Sequence, residues 1–111
     1  MTSFIELYWT AGSIDEARKV SRYLVQERFV ASAKIIPWIE SITMLNNQLD
    51  TTQESKVIFI TRKELFKTIV EMITQSSKYQ VPEISMIEIQ DANQVYFEWL
   101  KESTSKHSLS I

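Results

Sequence analysis

The side chains able to do chemistry in this sequence are few and scattered. There is no cysteine, and the single histidine, His107, stands near the carboxyl end. A thiolate nucleophile, a disulfide framework and any cysteine-based zinc or iron–sulfur centre are thereby excluded. No histidine stands in the body of the chain to act as base for a serine, so acid–base and nucleophilic catalysis lack their usual residues. The carboxylate pairs Asp15/Glu16 and Asp50/Glu54 read as separate surface positions. No metal-ligand spacing occurs, and the expectation is a protein that is not an enzyme. His107 could join a multi-histidine site only if copies of the chain gathered at an axis. Gly12 is the one glycine in the chain. Loops that cradle phosphate need glycine wherever the backbone nears the anion, which excludes the dinucleotide and P-loop fingerprints. The aromatic residues give a weaker signal. Tyr96 and Trp99 are either a wall for a ligand or, as aromatic stripes more often are, an anchor for their element. Trp38, beside Pro37, poses the same choice.

A chain of 111 residues is enough for one domain with its own core. Twelve Lys and Arg against 14 Asp and Glu leave a net charge of −2, with no basic field for nucleic acid or an anionic membrane. The first residues carry neither a basic start nor an unbroken apolar run, and no stretch reaches the ~20 apolar residues needed to cross a bilayer. The expected location is cytoplasmic.

The elements follow from periodicity. Residues 4–10 alternate as a strand, and Ala11-Gly12 breaks it. Ser13 with Glu16 is a capping-box pattern opening a helix to about Glu27, whose inner face is Ile14, Ala17, Val20, Ser21 and Leu24. Residues 30–45 read as a long strand containing Pro37. Asn46-Asn47 marks a tight turn, since Asn tolerates positive φ, and residues 48–61 return. Thr61 and Glu64 form a second capping box before a helix burying Leu65, Phe66, Ile69, Val70 and Ile73. Pro82 forces an extended entry to a strand over residues 83–90. Asp91-Ala92-Asn93 then caps a short helix bearing Val95, Tyr96, Trp99 and Leu100. The order is β-α-β-β-α-β plus a terminal helix. This predicts an α+β, ferredoxin-like antiparallel sheet with both main helices on one face. Residues 1–104 form the domain, and residues 105–111 are a flexible serine-rich tail.

That arrangement leaves one sheet face open, yet the strands are apolar on both sides. Ile35, Ile36, Trp38 and Ile39 cannot all face the helices, nor can Val57, Ile58, Phe59 and Ile60, because neighbours in a strand point opposite ways. A second copy of the chain is the expected cover. The long hairpin supports this. A strand of about 14 residues spans roughly 45 Å, more than the roughly 35 Å of a compact domain of this size. It either bends at Pro37 or projects its tip.

Several segments resemble the CutA divalent-ion-tolerance family. Residues 24–37, from Leu24-Val25-Gln26-Glu27-Arg28 to Ile35-Ile36-Pro37, are similar to its helix ending and the strand that follows. Thr61-Arg62 with Phe66, Tyr79-Gln80-Val81-Pro82-Glu83-Ile84 and Tyr96-Phe97-Glu98-Trp99-Leu100 resemble further family motifs, in the right order and on the right elements. The resemblance implies a tightly packed homotrimer, related in architecture to PII signal proteins. It also implies a role in divalent metal tolerance with reported copper binding.

The departures bear on the site. The family's usual Cys before the Ile-Ile-Pro run is Ser32 here, and its Asn is Lys34. Its His and Pro before the Tyr-Glu-Val-Pro-Glu run are Ser77 and Lys78. The soft and imidazole donors suited to copper are gone. What the resemblance still implies is a ligand site at a subunit seam drawing on Tyr79, Glu83, Lys34, Ser32 and Trp99, with Glu83 as the one candidate metal ligand. Tyr79 and Glu83 equally read as structural hydrogen-bonding groups. No cofactor is required beyond a weakly bound divalent cation. The expected partner is the chain itself, with another protein as a further possibility. The alternative function is a PII-like ligand-sensing or protein-interaction trimer without metal.

Overall fold

The structure, a computed structural model, describes residues 2–108. Its elements run β1 (Phe4–Ala11), α1 (Ile14–Gln26), β2 (Ser32–Leu45) and β3 (Gln48–Arg62). A 3₁₀ turn (Lys63–Leu65) then leads to α2 (Phe66–Ser76), β4 (Glu83–Glu88) and α3 (Gln94–Ser103). The four strands form one sheet in the order β2-β3-β1-β4, and every neighbouring pair is antiparallel. The α+β class and the antiparallel sheet expected from the sequence are present. Among the described residues no helix is long and apolar enough to cross a membrane.

The pleat sorts the side chains. Ile5, Leu7, Trp9 and Ala11 of β1, with Val57 and Phe59 of β3, meet Ala17, Val20 and Leu24 of α1 and Ile69 and Ile73 of α2 in the main core. Trp9 and Phe59 stack at 6.3 Å within it. The alternate residues form a second cluster on the opposite face, where Phe4 and Ile60 enclose Leu100 of α3. The β-α-β-β-α-β pattern alone leaves that face without a covering layer. The third helix supplies one at the end of the sheet where Phe4 and Ile60 lie. Trp99, expected to anchor α3, is 45% exposed, and Leu100 with the half-buried Phe97 does the anchoring instead.

The hairpin both bends and projects. Its register slips between Ile36 and Ile39, so Pro37 and Trp38 form a bulge, with the Ser55 hydroxyl donating to the Pro37 carbonyl at 2.6 Å. Beyond it the arm continues to Asn46 and Asn47, at φ 52° and 63°, the turn that a two-residue hairpin of the observed twist requires. The arm makes the molecule 49 Å long and only 26 by 21 Å across.

The caps differ in part from expectation. Ser13 caps α1, its hydroxyl accepting from the Glu16 N–H at 3.1 Å, but the Glu16 carboxylate is engaged by the Lys78 N–H. The second capping box does not form. Thr61 lies within β3, and its hydroxyl donates to the Phe29 carbonyl at 2.6 Å, tying β3 to the α1–β2 turn. Asn93 occupies the N-cap position of α3 with no side-chain bond, while Asp91 accepts from the Ala92 N–H.

Because Leu100 is fully buried between Phe4 and Ile60, Leu100→Ala is expected to cost about 2–5 kcal/mol in denaturant unfolding. A cost below about 1 kcal/mol would mean that α3 does not seal that end of the sheet.

Candidate functional site

The loop between α2 and β4 carries Tyr79 to the rim of the sheet, and three contacts fix its path. Ser77 Oγ accepts from the Tyr79 N–H at 3.1 Å, and Glu16 Oε2 accepts from the Lys78 N–H at 3.1 Å. Gly12 lies beneath the ring, where a Cβ would stand 3.3 Å from Tyr79 Cζ. The lone glycine thus permits a close approach. The Tyr79 hydroxyl donates to Glu54 Oε2 at 2.6 Å. Glu54 is available because the β3 pleat puts Thr52, Glu54 and Lys56 on the face away from α1 and α2. Glu83 opens β4 directly opposite Thr10, whose hydroxyl donates to Glu83 Oε1 at 3.2 Å. With Ser41, Thr43, Thr52 and Val81, these residues line an open cleft of about 330 Å³ at the root of the hairpin arm.

The cleft is acidic and rich in hydroxyls. The Tyr79 phenol is pushed up to about 12, chiefly because it donates to the Glu54 carboxylate. Partial burial and the negative charges of Glu54 and Glu16 add to this. A second polar group lies further along the same face. The Tyr8 hydroxyl donates to Glu6 Oε1 at 2.8 Å, which raises the Tyr8 phenol above its ordinary value, and Lys56 Nζ sits 4.9 Å over the Tyr8 ring. Burial, with the charge of Glu6, likewise raises Tyr96.

The structure brings Tyr79 and Glu83 to one cleft and leaves the other expected residues outside its lining. Lys34 is exposed on β2 opposite Ile58. Ser32 lies opposite Ile60, its Oγ buried and without a partner among the described residues. Trp99 stacks on Tyr96 at 5.9 Å on α3. Glu54, which the sequence presents as a separate surface position, joins Tyr79 in the cleft. The signal for it was the polar alternation Asp50, Thr52, Glu54, Lys56, blurred by the equally polar Thr51 and Gln53 between them. A hollow of about 430 Å³ between α1 and α2, floored by Val20, Leu24 and Met72, contains none of the expected site residues.

Among the described residues no three His, Cys, Asp or Glu side chains come together as a metal would need. The cleft offers oxygen donors only. That set does not fit copper, which selects imidazole and sulfur, and suits at most a hard cation that keeps part of its water.

Comparison with known proteins places this geometry in a family. A model of the CutA1 divalent ion tolerance protein matches residues 5–103. The chloroplastic Protein CutA of Arabidopsis thaliana is 31% identical over 100 residues, covering 90% of this chain and 55% of that protein. The chain therefore spans about half the length of the plant relatives. The divalent-cation tolerance protein CutA of Thermus thermophilus is 32% identical over 95 residues, 86% of this chain and 92% of that one. The crystal structure of CutA1 from Oryza sativa superimposes with a TM-score of 0.90 at 29% identity, covering 96% of both chains.

The Tyr79–Glu54 bond gives a pH test. The phenol ionises near 10 in the unfolded chain and near about 12 here. Its contribution to stability is therefore complete below about pH 10 and lost as the pH rises through about 12. Tyr79→Phe should cost about 0.5–1.5 kcal/mol at neutral pH. In urea unfolding, that difference from the parent should shrink toward zero across this window. A difference that stayed constant would show that the bond does not govern the phenol.

Proposed function

The chain belongs to the CutA1 divalent ion tolerance family, and on that premise we propose that it is a homotrimer of ferredoxin-like subunits acting in divalent-cation tolerance with no copper site in its folded body. The observation that carries the site reading is the meeting of Glu54 and Glu83, from different strands, in a cleft whose other lining residues are hydroxyl-bearing except Val81. Two carboxylates with hydroxyl neighbours hold a hard cation, or a small polar ligand, loosely and through water. The trimer reading rests on apolar surface that the described residues leave exposed. Trp38 is 71% exposed and Leu49 76%, and Ile42, Met44, Ile87 and Trp99 are exposed with them. Surface of this kind on an arm and an open sheet face is what an obligate interface buries. We place the assembly in the cytoplasm. The second reading, a PII-like ligand sensor without metal, draws its support from the same shortage of ligating groups.

Two measurements test these readings separately. Light scattering at micromolar concentration is expected to give three times the 13.0 kDa chain mass, and a monomer mass removes the trimer. For the site, titration calorimetry with Mn²⁺ on the His107→Ala variant with a blocked amino terminus should give a Kd on the order of 10⁻⁴–10⁻³ M, weakened further by Glu83→Gln. The same variant should show no stoichiometric submicromolar Cu²⁺ binding. Tight copper binding would reveal a site assembled between subunits and overturn the proposal. Mn²⁺ binding indifferent to Glu83→Gln would move the hard-cation site away from the cleft and favour the metal-free reading.

A further inference from the structure

The family match ends at residue 103, yet the described chain beyond it is folded back onto the body. The His107 ring stacks on Phe29 with centroids 3.9 Å apart and planes within 2°, and its Nε2 donates to the Glu27 carbonyl at 2.8 Å. That contact fixes Nε2 as a protonated nitrogen, because a carbonyl can only accept. On either side of His107 the same segment is held as well. The buried Arg62 guanidinium donates to Thr104 Oγ1 at 2.8 Å, to Ser108 Oγ at 3.0 Å and to the Lys101 carbonyl at 3.0 Å.

What His107 holds is a turn between a helix and a strand that contains a left-handed residue other than glycine. α1 ends in a Schellman arrangement, with Arg28 N–H bonded to the Val25 carbonyl and Phe29 N–H to the Leu24 carbonyl. The residue that must turn left-handed is Arg28, at φ 63°, where glycine is the usual occupant. Phe29 is the next residue, and the helix has no basic side chain in its last turn to engage the free carbonyls. The Phe29 carbonyl accepts from the Thr61 hydroxyl, and the Ala31 N–H donates to the Ile60 carbonyl, so the turn sets how β2 joins β3 immediately before Ser32 and Lys34.

We propose that residues 104–108 form a carboxyl-terminal latch that holds this turn closed. Arg62 anchors its base and His107 is the catch on Phe29 and Glu27. With the catch in place, the left-handed Arg28 is stabilised by contacts on the residues flanking it, and the entry of β2 is fixed. With the catch open, the turn loosens while the central strands keep their own packing. The latch is a property of this chain's residues beyond the family match, and it stands whether or not the body binds a cation.

Residue-resolved amide hydrogen exchange on the full chain tests it. His107→Ala leaves every Arg62 contact in place and removes only the catch. It should speed exchange at Phe29 and Val30 by about ten-fold or more, with β1 and β3 amides such as Leu7 and Phe59 unchanged. Arg28→Gly relieves the strain, so in that background the same substitution should speed exchange by less than about three-fold. No change at Phe29 and Val30, or an equal change at Leu7 and Phe59, overturns the latch. An undiminished effect in the Arg28→Gly background overturns its link to the strained turn.

Discussion

β3 sends Val57 and Phe59 toward α1 and α2 and sends Ile58 and Ile60 to the opposite face, so its inner half needs apolar cover on both sides. Most of the structure answers that need. The two main helices close one face over Trp9, Val57 and Phe59. The other face is closed at one end by α3, where Leu100 fits between Phe4 and Ile60. Toward the hairpin arm none of the described residues continues the cover, and Ile36 and Trp38 stay exposed. β3 and its neighbour β1 are the two central strands, each paired on both edges and each feeding both apolar clusters, so displacing either would disturb every layer at once.

The bulge follows from the same constraint. A regular hairpin would keep one alternation from the sheet core to the tip. Slipping the register at Pro37 and Trp38 re-aims the arm, so that Ser41 and Thr43 share a face with Thr52 and Glu54. The polar cleft is therefore a product of the bulge as much as of the residues lining it. Proline suits this place, since a bulge leaves a residue outside the ladder and the missing N–H leaves no donor unpaired.

The elements were legible because their signals are local. Alternation marks the strands, Asn46-Asn47 marks the turn, and Ser13 marks a helix start. What the sequence did not reveal depends on distant partners. Thr61 and Glu64 have the spacing of a capping box, but Thr61 is drawn into β3 by its bond to Phe29, more than 30 positions earlier. Glu54 joins Tyr79 only through strand register. Trp99 and Leu100 are neighbours of similar apolar character, and which one is buried depends on the helix's rotation over Phe4. His107 reads as part of a loose tail until Phe29 is placed beneath it. The resemblance of motifs, by contrast, was carried by short runs such as Tyr79 to Ile84, whose order alone identified the family. Ser32, within one of those runs, and Ser77, just before another, carry hydroxyls where the resemblance implies sulfur and imidazole.

The charges on the uncovered face set a condition on whatever covers it. Glu6, Tyr8 and Lys56 satisfy one another within the chain: a hydroxyl on a carboxylate at 2.8 Å and an ammonium over the ring at 4.9 Å. A group already partnered loses less on leaving water than a bare one, so this set can sit beneath an apolar interface without being orphaned. Glu54 and Glu83 are likewise held, by Tyr79 and Thr10. Lys34 differs. It lies on the same face, opposite Ile58, and has no ion-pair partner among the described residues. Burying its ammonium alone would cost several kcal/mol, on the order of what a large apolar side chain contributes. An assembly that covers this face must therefore leave Lys34 at a wet rim or bring a carboxylate to it. Either requirement narrows the ways in which copies of the chain can meet.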